Sequence, residues 1–342
     1  MIDRRVRVAV LAGGRSSEHE ISLASARSVL EALDPERYDV ATVAIGRDGR
    51  WELGSGNGRT ALPDATVAET LPVPAAGAPA ALGEVDVVLP ILHGPFGEDG
   101  TVQGLLELAN VAYVGAGVAA SALCMDKDLF KKVMRESGIR VARSVTLRPR
   151  DPVEQPFTFP VFVKPARLGS SVGITKAHDE DELRAGVELA FRHDEKVLIE
   201  EFLDGVEVEV GVLGNREPIA SLPGQIVPLG HEWYDYASKY DEGGMALVIP
   251  PDGIDAATLR RVQETAVDAY RVTDCEGMAR VDCFVLGGSD VVVNELNTIP
   301  GFTSTSVYAK LFEASGIPYD ALVERLIALA LERHERRSAL RY

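Results

Sequence analysis

The sequence predicts an α/β fold. An open parallel-sheet domain comes first, and mixed strand and helix units follow it. Three observations carry this. Strand-length apolar runs alternate with helical-period segments through the first third, as parallel sheets with crossover helices require. Near the carboxyl end, two β-type runs flank Gly287-Gly288-Ser289-Asp290, a hairpin signature. The chain has 342 residues, and at roughly 100–200 residues per domain that means two or three domains.

The elements follow in order. Val6–Leu11 is a short apolar run ending in Gly13-Gly14, a buried strand and turn. Ser22–Leu33 is a helix, with Leu23, Ala26, Val29, Leu30 and Leu33 at helical spacing. Tyr38–Ile45 and Val85–Leu92 are further strands, and Gly100–Ala109 a helix. The Gly, Ala and Pro-rich stretch from Gly54 to Gly83 reads as a surface excursion with little structure of its own. In the middle third, Asp128–Ser137 and Asp181–Arg192 are helices. Val141–Leu147, Pro160–Val163, Lys196–Glu200 and Val206–Leu213 are strands. The last third has a helix over Ala256–Val272, a strand pair over Met278–Glu295 and a closing helix, Tyr319–Arg333, with Leu322, Leu326 and Leu329 on one face.

Composition excludes several classes. At 46% hydrophobic and 25% charged residues, the chain is globular. Its 35 Lys and Arg against 52 Asp and Glu give a net charge of −17, unsuited to nucleic acid or an anionic membrane surface. Phosphates would have to be held by a few placed cations, amides or metals. The cysteines Cys124, Cys275 and Cys283 form no disulfide framework or metal spacing. Val8–Ala12 is too short for a signal peptide's apolar region, and no stretch is long enough to span a membrane. The expectation is a cytoplasmic protein.

The hairpin holds the strongest constellation. A two-residue loop at Gly288-Ser289 would set Asp282 opposite Glu295 and Arg280 opposite Asn297, all on one face. Opposed carboxylates ~5 Å apart repel unless a cation lies between them. Two carboxylates and an amide oxygen suit Mg²⁺ bridging phosphates. Lys164, at a strand end before Gly169-Ser170-Ser171-Val172-Gly173, can lead a loop that covers phosphates with backbone N–H groups, with Lys127 beside it. Leu198–Glu207 could hold adenine and ribose, although local sequence alone reads Glu200 and Glu201 as solvated strand-end charges. Ala12–Glu20 and Leu92–Gly100 follow strands at the end where parallel sheets bind ligands.

These residues resemble the D-alanine–D-alanine ligase family of ATP-grasp enzymes over essentially the whole length. The motifs appear in the family's order: Gly13-Gly14-x-Ser-x-Glu18-x-Glu20-x-Ser22, His93-Gly-x-x-Gly97-Glu98-Asp99-Gly100, Met125-Asp126-Lys127, Lys164-Pro through Gly173, Tyr234-Asp-Tyr-x-x-Lys239-Tyr240, Arg280-Val-Asp282, and Glu295-Leu-Asn297-Thr-x-Pro300-Gly301 through Ser306. The resemblance implies an amino-terminal α/β substrate domain (1–122), then a two-part ATP-grasp fold: a central subdomain (123–213) and a carboxyl-terminal domain with the metal and substrate site (214–342).

It also implies roles. ATP would be held by Lys127, Lys164, Ser171, Glu200, Glu201, Leu203, Glu207 and Lys239. Two Mg²⁺, with Mn²⁺ as a substitute, would sit on Asp282, Glu295 and Asn297. Glu18 would take the ammonium of the first D-alanine, linked to Ser170 and Tyr240. Arg280 and the Gly301 N–H would stabilise the oxyanion. His93, Ser306 and Val307 would complete the amino-acid sites. The implied reaction converts one D-alanine to an acyl phosphate, which the amine of a second attacks, in peptidoglycan precursor synthesis by a homodimer. The alternatives are a D-alanine–D-lactate ligase, against which Tyr240 speaks, another ATP-grasp amino-acid ligase, and a non-catalytic nucleotide-binding regulator. The regulator would have lost some of Arg280, Asp282, Glu295 and Asn297, and all four are present.

Overall fold

A computed structural model describes residues 4–53, 72–73, 85–229 and 244–341. Three sheets organise them. The first contains β1 (Val6–Gly13), β2 (Tyr38–Ile45), β3 (Trp51–Leu53), β4 (Pro72–Val73), β5 (Val87–Ile91) and β6 (Ala112–Tyr113), in the order β4-β3-β2-β1-β5-β6. β2, β1, β5 and β6 are parallel, as expected, and β3 and β4 add an antiparallel edge. Central β1 is apolar on both faces because both are covered. Val8, Val10 and Ala12 enter one core, and Ala9 and Leu11 the other.

Helices α1 (His19–Ala32), α2 (Thr101–Leu108) and α3 (Val118–Met125) belong to this part of the chain. Helix α1 begins three residues before the expected start at Ser22, with Glu18 at its N-cap. Most of the Gly54–Gly83 stretch lies outside the described residues; Pro72–Val73 pairs with β3.

The second sheet is antiparallel, ordered β7-β10-β8-β9, from β7 (Ser144–Leu147), β8 (Val161–Pro165), β9 (Thr175–Ala177) and β10 (Val197–Glu201). Helix α4 (Lys127–Glu136) precedes it, capped by the Asp126 carboxylate. Helix α5 (Glu180–Phe191) covers one face, where Val161, Val163, Val197 and Ile199 meet Leu183 and Val187. Alternation sends Phe162, Lys164, Leu198 and Glu200 to the other face.

The third sheet is ordered β14-β13-β11-β15-β16, with β12 (Ile219–Ala220) also on β11. Its strands are β11 (Gly205–Gly214), β13 (Gly224–Pro228), β14 (Met245–Val248), β15 (Gly277–Leu286) and β16 (Asp290–Asn297). Helix α6 (Ala256–Val272) buries Val262, Ala266 and Ala269 against Val208, Val210, Val281 and Cys283. The opposite face carries Glu207, Glu209 and Asp282. A division after residue 213 would cut through β11, all ten of whose residues pair with β15; the third sheet begins at Gly205. Helix α7 (Val307–Ala314) follows β16. Helix α8 (Tyr319–Ser338) returns to the first sheet, where Leu322, Leu326 and Ile327 share a core with Val8, Val10 and α1. Among the described residues, no helix is long and apolar enough to cross a membrane.

The expected hairpin is present with a different route to the same register. Its loop has three residues, since Leu286 faces Asp290, and Gly287 and Gly288 both take positive φ. That shifts the register by one near the turn. An irregularity after Asp282 inserts Asn294 and shifts it back. Asp282 therefore faces Glu295, and Arg280 faces Asn297, as anticipated.

Candidate active site

A cavity of about 420 Å³ lies between the second and third sheets. Lys127, Lys164, Ser170, Ser171, Glu200, Glu201, Leu203, Glu207, Asp282 and Glu295 line it. Lys164 faces Leu198 across β8 and β10, one step from Glu200 on the same face, and its Nζ donates to Glu200 Oε2 at 2.7 Å. Glu200 Oε1 is 3.2 Å from Nζ of Lys131, a residue of α4. Burial alone would raise the Glu200 carboxyl, but Lys131 and Lys164 hold it down at about 2. Burial and its fellow cation lower Lys131. Lys164 is raised, because Glu200 outweighs its burial. Reading Glu200 as a solvated strand-end charge is thus overturned. β10 is paired on both sides, and the residue is 2% exposed. The side chain of Glu201 turns the other way and binds Arg143 at 2.7 Å.

Lys127 Nζ donates to Leu168 O at 2.8 Å and lies 3.4 Å from Glu295 Oε2. In the loop after β8, consecutive Ser170 and Ser171 hold φ of 52° and 57°, a left-handed conformation unfavourable for serine. On the hairpin face, the Arg280 guanidinium grips both oxygens of Asp282 at 2.8 Å and reaches Glu209 at 2.9 Å. Asn297 Nδ2 donates to Asp282 Oδ2 at 2.9 Å.

A second cluster lies at the carboxyl ends of β1 and β5. Ser170 Oγ donates to Glu18 Oε1, tying the phosphate-type loop to the first domain. Glu18 sits at the α1 N-terminus, where the helix dipole favours its charge. Gly94 packs against Glu18 so closely that a Cβ there would overlap the carboxylate, and its φ is +73°. His93 Nδ1 donates to Ile299 O at 2.9 Å, and its Nε2 meets Ser25 Oγ at 3.2 Å. Burial lowers its pKa, so the ring is neutral and Nε2 accepts. Glu98 accepts N–H bonds from Gly94 and Ile299, yet burial and the neighbouring Glu18 charge raise its carboxyl to about 8. Ser306 Oγ accepts from the Thr303 N–H at 3.0 Å, beside Gly301. Val307 opens α7, packed with Ile226 and Leu311.

Comparison with known proteins decides the family. A family model described as D-ala D-ala ligase C-terminus matches residues 133–328, and one described as D-ala D-ala ligase N-terminus matches residues 7–116. The chain belongs to the D-alanine–D-alanine ligase family. A D-alanine–D-alanine ligase of Solibacter usitatus is 45% identical, with 99% of each chain covered. Among solved structures, the VanG D-Ala:D-Ser ligase of Enterococcus faecalis is 38% identical with a TM-score of 0.85, covering 96% of this chain and 100% of the other. A Bacillus anthracis D-alanine–D-alanine ligase complexed with ATP is 26% identical with a TM-score of 0.78, covering 97% and 99%.

The ligase fold brings most of the anticipated residues to two adjoining places. Lys239 and Tyr240 lie outside the described residues. Sequence reasoning assigned no role to Lys131, Glu98 or Glu209. Lys131 had a signal: it follows Lys127 by four residues, one helical turn on the same face. Glu98 stood inside a quoted motif. Glu209 is fully buried beneath Arg280, and strict alternation in β11 could have placed it on the face of Glu207.

Proposed function

We propose that the chain joins two D-alanine molecules at the expense of ATP, for peptidoglycan precursors, using the two clusters as nucleotide and amino-acid ends of one site. The observation that carries this reading is the Ser170–Glu18 hydrogen bond, which joins the loop over the lysine-lined cleft to the end of the first sheet. ATP lies in the cleft, with adenine near Glu200, Glu201 and Leu203, ribose at Glu207, and phosphates against Lys127, Lys164, Ser171 and Lys239. Glu18 takes the ammonium of the first D-alanine and thereby aims its carboxylate at the γ-phosphoryl group.

Phosphoryl transfer gives an acyl phosphate. The free amine of the second D-alanine attacks that carbonyl, and phosphate leaves with the C–O bonding pair. Arg280 and the Gly301 N–H face the oxyanion as charge develops. Ser306 and Val307, with His93, shape the amino-acid pockets, and the family resemblance assigns Tyr240 a part in the link between Glu18 and Ser170.

Asp282, Glu295 and Asn297 fit Mg²⁺, with Mn²⁺ as substitute. They are hard oxygen donors on one sheet face, and among the described residues no cluster of three or more acids, histidines or cysteines forms a metal cage of its own. Such a set suits an ion that takes much of its shell from phosphate and water. When bound, the metal neutralises phosphate charge. Within this reading, the units divide near residues 122 and 204, and the protein is a cytoplasmic homodimer. With a net charge of −17, nucleic acid is no partner.

The test is phosphate release from ATP with D-alanine, L-alanine, and D-alanine plus D-serine or D-lactate. D-Alanine alone should support turnover and L-alanine should not. Release that requires D-serine or D-lactate would reassign the second substrate to the type named for the VanG structure or to a depsipeptide.

A further inference from the structure

Lys131 is the unexplained charge of the cleft. Its side chain is 1% exposed and it does not line the cavity. A buried ammonium is costly unless compensated. Its compensation is shared: Nζ lies 3.2 Å from Glu200 Oε1 and 3.5 Å from the carbonyl of Asn294, the residue that the irregularity in β16 inserts. Glu200 gives its other oxygen to Lys164 at 2.7 Å. Two ammonium groups thus flank one carboxylate, and of the two only Lys164 lines the cavity.

We infer that Lys131 is a positioning residue: it neutralises Glu200 from below, so that the charge of Lys164 remains available to the nucleotide's phosphates. The inference rests on the nucleotide reading of the cleft. The charge count makes the point. With Lys131 present, the triad carries one net positive charge, which Lys164 presents to the cavity. Without it, Glu200 and Lys164 cancel, and Lys164 is held by a carboxylate that has no other cation. An incoming triphosphate would then compete with Glu200 for Lys164. The bond from Lys131 to Asn294 O also ties α4 to the strand that carries Glu295, so the same ammonium touches both walls of the cleft.

The experiment compares ATP affinity, by calorimetry with Mg²⁺, in wild type, Lys131→Met, Lys131→Arg, Lys164→Met, Glu200→Gln and the double variant Lys131→Met/Glu200→Gln. Lys131→Met should weaken ATP by about 10-fold to 100-fold, the scale of one charge-assisted hydrogen bond. The KM for D-alanine should stay near wild type. Lys131→Arg should retain most of the affinity. The double variant should bind ATP about as tightly as Glu200→Gln alone, because once the carboxylate is neutral Lys131 has no charge left to offset. A purely structural role for Lys131 would make the double variant weaker than Glu200→Gln alone, and that result overturns the inference, as does wild-type ATP affinity in Lys131→Met. Should Lys131→Met fail to fold, the double variant against Glu200→Gln decides alone: equal affinity supports the inference, and a further loss refutes it. Unchanged affinity in Lys164→Met would instead bring down the nucleotide reading on which the inference stands.

Discussion

The two ends of the site handle charge in opposite ways. At the amino-acid end, Glu18 and Glu98 are close enough that Glu18 helps raise Glu98 to about 8, and His93 is neutral. Among the described residues, no cation lies within ion-pair distance of either carboxyl. At the nucleotide end, Lys127, Lys131 and Lys164 are interleaved with Glu200 and Glu295 at 2.7–3.4 Å. On the proposed reading, a substrate ammonium would supply the cation that one end lacks. The other holds its cations against internal acids, for which the proposed phosphates would compete. Arg280 stands between them, gripping Asp282 on one side while its charge reaches Glu98 on the other.

The contrast breaks hardest at the hairpin. Asp282→Asn or Glu295→Gln should cut kcat by about 100-fold or more, the scale of losing one preorganised electrostatic contact to a transition state. The fold should persist, because Glu209 still holds Arg280. Circular dichroism with phosphate release checks this, and near-normal turnover at saturating Mg²⁺ would remove the metal role. Next in size, Glu18→Gln should raise the KM for the first D-alanine by about 10-fold to 100-fold, since a charge-assisted bond to ammonium is lost. Its ATP dependence should barely move. Ser170→Ala removes a bond to Glu18 rather than the charge itself, so kcat/KM should fall only about 2-fold to 10-fold. A loss equal to that of Glu18→Gln would mean that the loop, and not the carboxylate, sets the pocket.

The smallest effect is on acid stability and belongs to the nucleotide end. Glu200 titrates near 4.5 when unfolded and about 2 in the fold. The unfolded chain therefore binds the proton first, and stability is present above about 4.5 and lost as pH falls toward 2. Hydrogen exchange of the β10 amides across that window measures it, and β10 protection that does not weaken as pH falls would contradict the assigned pairing.

Much of this arrangement was legible in the sequence, and the hairpin shows how. Facing Asp282 with Glu295 followed from alternation and a tight turn, although the turn is one residue longer than expected and the inserted Asn294 restores the count. The longer turn and the inserted residue each move the register by one, and they offset each other. The parallel sheet was legible for a similar local reason, its central strands β1 and β5 being short, apolar and buried on both faces. What sequence could not give was pairing at long range. Glu200 looked solvated because its partners, Lys131 and Lys164, are brought to it only by the docking of α4 and β8. Short elements such as β9, β12 and α7 carry too few residues for a period to register.

The separation of the two ends is most directly tested by measuring both Michaelis constants in Glu18→Gln and in Lys164→Met, with wild type alongside. The expected pattern is crossed: Glu18→Gln raises the KM for D-alanine and leaves that for ATP, while Lys164→Met raises the KM for ATP and leaves that for the first D-alanine. If each variant shifts both constants alike, the site does not divide into an amino-acid end and a nucleotide end as described.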